Sequence, residues 1–303
     1  MIEKKRVIAL GFFDGIHSGH SALMKKALEV SIEKNLIPSV ITFDAHPLGL
    51  VSGKTVPLIN SPEDRAGLIH RLFGIDDIIF LHFDRETSQM PWDRFIGHLV
   101  SEFGARHLVA GHDFRFGKGG AGNAELLTQK CAEIGIGCDI IPEIRLDGVT
   151  SSSTYIREMI AAGDIERANM FLSHPHVLTD VVRYGYRLGR TLGTPTINMI
   201  FQDGVLIPAF GVYATRVCLD DGSVHPGVTN IGVRPTVESS NPGQVTAETH
   251  ILNFQANLYG RQVRIEFHKR LRPEKKFSGA DELKAQIHED CLAVMSYFSG
   301  QLL

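Results

Sequence analysis

Two histidines, His17 and His20, stand three positions apart in the glycine-rich segment of residues 11–20. A short apolar run over residues 6–10 precedes them, and apolar residues recur at helical spacing from residue 22. The pair is therefore predicted at a strand-to-helix turn, where free backbone N–H groups attract anions. Imidazoles there could bind phosphate oxygens and stabilise the charge of phosphoryl or nucleotidyl transfer. The segment fits neither the dinucleotide fingerprint nor a Walker loop.

Three further clusters lie in the same half of the chain, at residues 42–47, 111–118 and 151–157. The second cluster, residues 111–118, mixes aromatic and charged residues after a predicted strand. Its aromatic rings could pack on a planar ring of a ligand while Arg115 or Lys118 binds phosphate. Hydroxyls in the third are ordinary helix caps by themselves. Arg157, however, falls in the first turn of the following helix, where the dipole disfavours a cation unless an anionic partner is present.

The C-terminal half carries a second glycine-rich stretch, residues 185–198, which suits either a plain hairpin or a loop that binds polyphosphate through backbone N–H groups. Thr196 and Asn198 offer hard oxygen donors one residue apart, as Mg²⁺ prefers.

Glu248 lies on a predicted strand and shares a face with Leu252 and Phe254. A carboxylate on an apolar face is costly without a partner or a task. It is either a general base for a hydroxyl that attacks phosphate, or an edge glutamate that faces water.

The elements that must position these residues differ between the two halves. Predicted strands at 7–10, 39–43, 78–82, 107–110 and 137–141 alternate with helices such as 92–103 and 123–134, which indicates a parallel α/β sheet. In the second half, predicted strands at 177–183, 212–219, 247–254 and 262–267 precede one helix at 280–298. That pattern predicts an antiparallel barrel or sandwich closed by a helix, with domains at 1–176 and 177–303.

The composition narrows the possible partners and location. The chain has 303 residues and a net charge of −3, which gives no electrostatic case for nucleic acid or an anionic membrane as partner. No apolar stretch approaches the roughly 18 residues of a membrane span. Four widely spaced cysteines suit a reducing compartment, so a cytoplasmic location is expected. The oligomeric state stays open.

The motifs together resemble those of the bifunctional bacterial riboflavin kinase/FMN adenylyltransferases, or FAD synthetases. Residues 11–20 match G-x-F-D-G-x-H-x-G-H, the H-x-G-H of the nucleotidyltransferase superfamily. The next three clusters match T-F-D-P-H-P (with Ala45 for proline), G-x-D-F-x-F-G and S-S-T-x-x-R. The second half matches G-R-x-L-G-x-P-T-A-N, with Ile197 for alanine, and E-x-H-x-L-x-F. The resemblance implies a Rossmann-like nucleotidyltransferase domain followed by a riboflavin kinase β-barrel.

The resemblance also implies roles for individual residues. The implied catalytic residues are His17, His20, Arg157 and Glu248. The implied nucleotide-binding residues are Gly11, Phe12, Phe13, Asp14, Gly15, Gly19, Ser152, Ser153, Thr154, Gly185, Gly189, Arg190 and Gly193. Flavin binding is implied for Asp44, His46, Pro47, Asp113, Phe114 and Phe116, and Mg²⁺ binding for Thr196 and Asn198. The substrates implied are ATP, riboflavin and FMN.

Some positions depart from the family pattern. Asp180 and Ser173 stand where glycine is usual, and a carboxylate at position 180 could either repel ATP from the phosphate loop or require a displaced backbone. Three alternatives therefore stay open: an adenylyltransferase with an impaired kinase half, a flavin-binding regulatory protein on the same scaffold, and a nucleotidyltransferase with another phosphate acceptor. The last leaves the second half of the chain unexplained.

Overall fold

A computed structural model describes residues 4–44, 56–82, 84–184, 194–233 and 244–300. Contacts divide the chain into two compact units, Met1–Ser153 and Thr154–Leu303. Each unit has its own sheet.

The N-terminal unit is built on a five-stranded parallel sheet in the order β3-β2-β1-β4-β5. The central strand is almost wholly buried, as its unbroken apolar sequence requires. The strands are β1 (Arg6–Leu10), β2 (Ile37–Phe43), β3 (Asp77–Leu81), β4 (Ala105–Gly111) and β5 (Gly137–Ile141), and a small hairpin joins β6 (Arg145–Leu146) to β7 (Val149–Thr150). The predicted parallel α/β class is confirmed.

Helices flank this sheet. Helix α1 begins directly after the histidine loop, so the carboxyl end of the central strand leads into a helix N-terminus. Phe95 and Leu99 of the fourth helix pack into the core beside β4, as their helical spacing predicts. The helices of this unit are α1 (Ser18–Lys34), α2 (Pro62–Phe73), α3 (Arg85–Gln89), α4 (Trp92–Ser101) and α5 (Ala124–Glu133).

The C-terminal unit contains a six-stranded antiparallel sheet in the order β8-β13-β10-β11-β12-β9. The backbone N–H of Arg183 donates to the carbonyl of Asn198 at 2.9 Å, which links the two outer strands and nearly closes a barrel. The strands are β8 (His176–Val181), β9 (Thr196–Ile200), β10 (Gly211–Cys218), β11 (Val224–Val233), β12 (Val245–Ile251) and β13 (Gln262–Arg272). Strands β9 and β11 were not among the strands predicted above.

Three helices accompany this sheet in the described residues: α6 (Ser153–Ala162), α7 (Ile165–Leu172) and α8 (Ala280–Ser299). Val294 and Phe298 of α8 pack on Val212 and Val228, so this helix contributes to the core of the unit. The predicted antiparallel barrel with a closing helix is confirmed.

One polar side chain of helix α7 hydrogen-bonds to two strands of the barrel. Asn169 donates to the carbonyl of Phe267 and accepts from the backbone N–H of His176, both at 2.8 Å. Ser173 ends this helix in the left-handed conformation, with a φ of 62°, which explains why glycine suits this position. These contacts place α7 with the barrel, whereas the functional boundary at 176/177 stays a prediction.

Candidate active sites

The loop before α1 has an unusual backbone. Phe13, Gly15 and Ile16 all have positive φ angles, which residues other than glycine rarely adopt. Phe13 and Ile16 are fully buried, and this packing offsets the cost of the conformation. A Cβ at Gly11 would approach the Phe13 ring to 2.9 Å, so only glycine lets that ring fold back under the loop.

The ring of His17 caps helix α1. Its Nδ1 accepts from the backbone N–H groups of Gly19 at 3.1 Å and His20 at 3.4 Å. Ser151 Oγ lies 3.4 Å from the same nitrogen and itself accepts from Ser18 at 2.8 Å. Since donors converge on Nδ1, the ring proton belongs on Nε2, and His17 is a neutral N–H donor. Gly19 is needed because a Cβ there would lie 2.9 Å from the His17 ring.

His20 stacks on His17, with ring centroids 3.6 Å apart and an interplanar angle of 23°. The Phe13 and His20 rings also meet edge to face, with centroids 5.1 Å apart. Burial, with smaller effects from His17 and Arg65, lowers the pKa of His20 well below its ordinary value. Burial thus favours the uncharged form of His20, and Nδ1 of His17 is an acceptor, so each ring has an N–H that can donate to phosphate.

Asp14 anchors the loop rather than facing solvent. Its carboxylate, 1% exposed, accepts from the backbone N–H groups of Ile59 at 2.9 Å and Asn60 at 3.3 Å. Ser153 Oγ donates to the Asp14 carbonyl at 2.8 Å. The predicted nucleotide residues Asp14 and Ser153 therefore brace the loop that carries the histidines.

The remaining predicted nucleotide residues of this half lie in or before the loop and at the start of α6. Phe12 is half-buried, and its ring packs under the guanidinium of Arg65. Ser152 immediately precedes α6. Thr154 and Arg157 fall in the first two turns of α6 and belong by contacts to the C-terminal unit. Their part in the first site stays a prediction.

The predicted flavin residues occupy different surroundings. Asp44 accepts from the His82 ring at 2.6 Å, and this pair raises the pKa of His82. Asp113 is exposed. Phe114 and Phe116 stack with centroids 5.4 Å apart, but Phe116 is buried in the core, whereas Phe114 is only partly buried and offers the more accessible ring. His46 and Pro47 lie outside the described residues.

In the C-terminal unit, Glu248 and Asn198 face each other in the antiparallel pairing of β12 with β9. Residues paired in this way have Cβ atoms about 5 Å apart. Asn230 on β11 is paired with Glu248 from the other side. Three polar side chains therefore form one row across three strands, on the same face.

Glu248 and Asn230 of that row border a cavity of about 300 Å³, the lower end of the range for small-molecule sites. Its lining includes Thr196, Asn230, Glu248 and Arg272. Arg272 is held by a two-pronged ion pair with the buried Asp290, at 3.0 and 2.8 Å. A carboxylate, two neutral polar groups and a fixed cation thus converge on one pocket.

Thr196 and Asn198 point to the same face of β9, since they are two residues apart. Asn198 is 4% exposed, and its Oδ1 has no hydrogen-bond partner among the described residues. A buried amide oxygen without a donor, beside a hydroxyl, fits a hard divalent cation. Four predicted nucleotide residues, Gly185, Gly189, Arg190 and Gly193, lie outside the described residues.

The residues beside these sites to which sequence reasoning gave no role include Asn60, Arg65, Asn230 and Ser151, the last of which opens the third cluster. Arg65 is a fully buried arginine within a helical pattern, and the sequence alone offered no sign of its burial. Ser151 sits one residue before the serine motif. Asn230 alternates with apolar residues on a strand that was not predicted.

The comparisons with known proteins agree with this geometry. The FAD synthetase family profile matches residues 1–155, and the riboflavin kinase profile matches residues 172–298. The bifunctional riboflavin kinase/FMN adenylyltransferase of Bacillus subtilis is 34% identical over 98% of this chain and 94% of its own length. The enzyme of the same name from Escherichia coli K12 is 34% identical over 96% of this chain and 92% of its own length.

A solved structure also matches nearly the whole of this chain. A protein from Streptococcus pneumoniae, described as a macrolide-efflux protein, superposes with a TM-score of 0.84 at 26% identity, over 97% of this chain and 95% of that one. Among the helices in the described part of this chain, none is long and apolar enough to cross a membrane. By sequence profile, identity and coverage, this chain belongs to the bifunctional riboflavin kinase/FMN adenylyltransferase family.

Proposed function

We propose that this chain phosphorylates riboflavin to FMN in its C-terminal unit and adenylylates FMN to FAD in its N-terminal unit. The observation that carries the proposal is that the two sets of polar residues belong to different compact units, each with its own sheet. One set is the stacked pair of His17 and His20, and the other is the row around Glu248.

In the first unit, an oxygen of the FMN phosphate attacks the α-phosphorus of ATP, and pyrophosphate leaves. His17 donates from Nε2, because its Nδ1 is already an acceptor within the loop. His20 is kept neutral and adds a second donor. Both stabilise negative charge on the phosphoryl oxygens at the N-terminus of α1, where the helix dipole acts in the same direction. Arg157 and Thr154 are proposed to bind the outer phosphates.

In the second unit, Glu248 accepts the proton of the ribityl 5′-hydroxyl as that oxygen attacks the γ-phosphorus of ATP, and ADP leaves. The residues that would hold a divalent cation are Thr196 and Asn198. We propose Mg²⁺, which when bound would neutralise phosphate charge. The glycine-rich segment of residues 185–193 is proposed to bind the polyphosphate, and Arg272 fixes a positive charge at the pocket wall.

The proposed flavin site of the first unit comprises Asp44, His46, Pro47, Asp113 and Phe114. Phe116 would support the ring of Phe114 from the core. The domain boundary at 176/177 and a cytoplasmic location complete the proposal and rest on the sequence.

The test is incubation of the purified chain with riboflavin, ATP and Mg²⁺, with products separated by chromatography. FMN should appear first and FAD second, and FMN supplied alone with ATP should give FAD. Accumulation of FMN without FAD would overturn the adenylylation half. FAD from FMN but no FMN from riboflavin would overturn the kinase half.

A further inference from the structure

Three polar side chains in the N-terminal unit have buried hydrogen-bonding atoms with no partner among the described residues. These atoms are both amide atoms of Asn60, Nε and Nη2 of Arg65, and Nδ1 of His20. Asn60 is 1% exposed and Arg65 is 0% exposed. Leaving such a group unpaired in a protein interior is destabilising, and more so when the group is charged. Unpaired groups gathered in one place point to a ligand that supplies their partners.

Asp14 lies where the segments that carry these side chains meet. The backbone N–H of Asn60 donates to the Asp14 carboxylate at 3.3 Å. Charge interactions connect Arg65 both to Asp14 and to His20. The segment that leads into α2 therefore lies against the histidine loop, although 40 or more residues separate them along the chain.

The guanidinium of Arg65 is held in a fixed orientation. Its Nη1 donates to Thr42 Oγ1 at 3.0 Å and to the Phe43 carbonyl at 2.8 Å, at the carboxyl end of β2. Its Cζ lies 4.4 Å from the centroid of the Phe12 ring. The remaining edge, Nε with Nη2, is the planar fork that binds two oxygens of a phosphate or carboxylate at once.

We propose that Arg65 and Asn60, together with His20, form a binding site for a phosphoryl group. The inference rests on the proposed adenylyl transfer, in which both FMN and ATP carry phosphoryl oxygens. The unpaired atoms are mostly donors, and this favours an anion over a cation or an apolar ring. Neither Asn60 nor Arg65 belongs to the four motifs of this unit, so they add a fifth segment to the site.

A purely structural role for Arg65 is the competing explanation. In that case the buried guanidinium serves only as the counter-charge of Asp14 and as a tie to the end of β2. The two roles differ in what a lysine does at this position. Lysine keeps the positive charge but presents no fork, so it would preserve an ion pair and lose bidentate phosphate binding.

The test uses the full chain with Arg65→Lys, Arg65→Met and Asn60→Ala, and with Arg71→Met as the control on the exposed side of α2. KM is measured for FMN at saturating ATP and for ATP at saturating FMN, with riboflavin phosphorylation recorded on the same samples. We expect KM for one of the two substrates to rise about tenfold or more in Arg65→Met. Arg65→Lys should raise that KM by a smaller factor, and Arg71→Met should leave it unchanged. The rate of riboflavin phosphorylation should stay the same in all four variants. The substrate whose KM rises identifies the source of the phosphoryl group.

Unchanged KM values for both substrates in Arg65→Lys would overturn the proposal, whatever happens to the thermal midpoint. Because lysine keeps the charge, that variant decides the question even if Arg65→Met does not fold. Calorimetric titration of FMN and of ATP into wild type and Arg65→Lys gives the same comparison without turnover. Wild-type chain that makes no FAD but loses affinity in Arg65→Lys would refute the proposed reaction and leave the phosphoryl site standing.

Discussion

The carboxylate of Asp180 accepts a hydrogen bond from the backbone N–H of Ile200 at 2.9 Å, across the gap between the two outer strands of the barrel. The same carboxylate pairs with Arg183 at 3.1 Å, and its side chain is 10% exposed. Its charge is therefore balanced by a cation and an N–H donor. Asp180 thus ties β8 to β9 rather than presenting an uncompensated charge.

This contact predicts that Asp180→Ala destabilises the C-terminal unit. Loss of one hydrogen bond and a partly buried ion pair should cost about 1–2 kcal/mol. For a unit of this size that lowers the thermal midpoint by roughly 2–8 °C. Scanning calorimetry measures the shift, with the exposed Asp203→Ala as control. A rise in kinase turnover in Asp180→Ala would instead favour the hypothesis that this carboxylate repels ATP.

Replacing Glu248 by glutamine should lower riboflavin phosphorylation by roughly 10²-fold or more, because the amide cannot accept a proton. Size and pairing with Asn198 and Asn230 are kept, so the fold should hold. Conversion of supplied FMN to FAD is measured on the same sample and should stay near wild type. Full kinase turnover in Glu248→Gln would mean that another residue is the base.

The reciprocal change, His20→Ala, should lower FAD formation from FMN by about 10²–10³-fold, since one donor to developing charge is lost. Riboflavin phosphorylation should continue at its usual rate. Product analysis after supplying either riboflavin or FMN distinguishes the two steps. Equal loss of both activities in folded protein would contradict separate sites.

A chain starting at Thr154 should fold more stably than one starting at residue 179. The shorter piece lacks α7, whose Asn169 bonds to Phe267 and His176 and whose Phe171 is fully buried. Circular dichroism melts of residues 154–303 and 179–303 make the comparison, with FMN production as the functional readout. Identical midpoints would show that the helices before the barrel are dispensable and support the boundary at 176/177.

The stability of the C-terminal unit should fall with pH below about 6.5 because of His176. This ring is 1% exposed, and burial lowers its pKa to about 3. In the unfolded chain a histidine pKa is about 6.5. The unfolded state therefore binds a proton that the folded state does not. Stability then declines by up to about 1.4 kcal/mol per pH unit as pH falls towards the folded pKa.

His176→Phe should flatten this dependence between pH 7 and 5, where most carboxylates are still ionised. Scanning calorimetry across that range checks it, and the exposed His288→Phe serves as the control. An unchanged slope in His176→Phe would assign the acid sensitivity to other groups. Below pH 5, Glu266 also contributes to the loss of stability, because its pKa in the folded protein is lowered to about 2 and the unfolded chain binds its proton at higher pH.

The sequence by itself determined the fold class and the segments that carry the chemistry. Periodicity is local, so β1 and α1 followed from apolar spacing, and the turn between them placed His17 and His20 at a helix N-terminus. The motifs around Glu248 and Thr196 were equally local. Strand β9 was not predicted because its first three residues were assigned to the glycine-rich stretch of residues 185–198. Strand β11 was not predicted because proline, glycine and polar residues interrupt its apolar pattern.

Only the tertiary structure decided which distant residues complete each site. The pairing of Glu248 with Asn198 is a matter of strand register, which depends on contacts between strands and not on either strand alone. The burial of Arg65 beside His20 arises because the end of β2 and the start of α2 close over the histidine loop. Asp180 became a structural residue for the same reason: its partner Ile200 lies 20 residues away in sequence and on another strand.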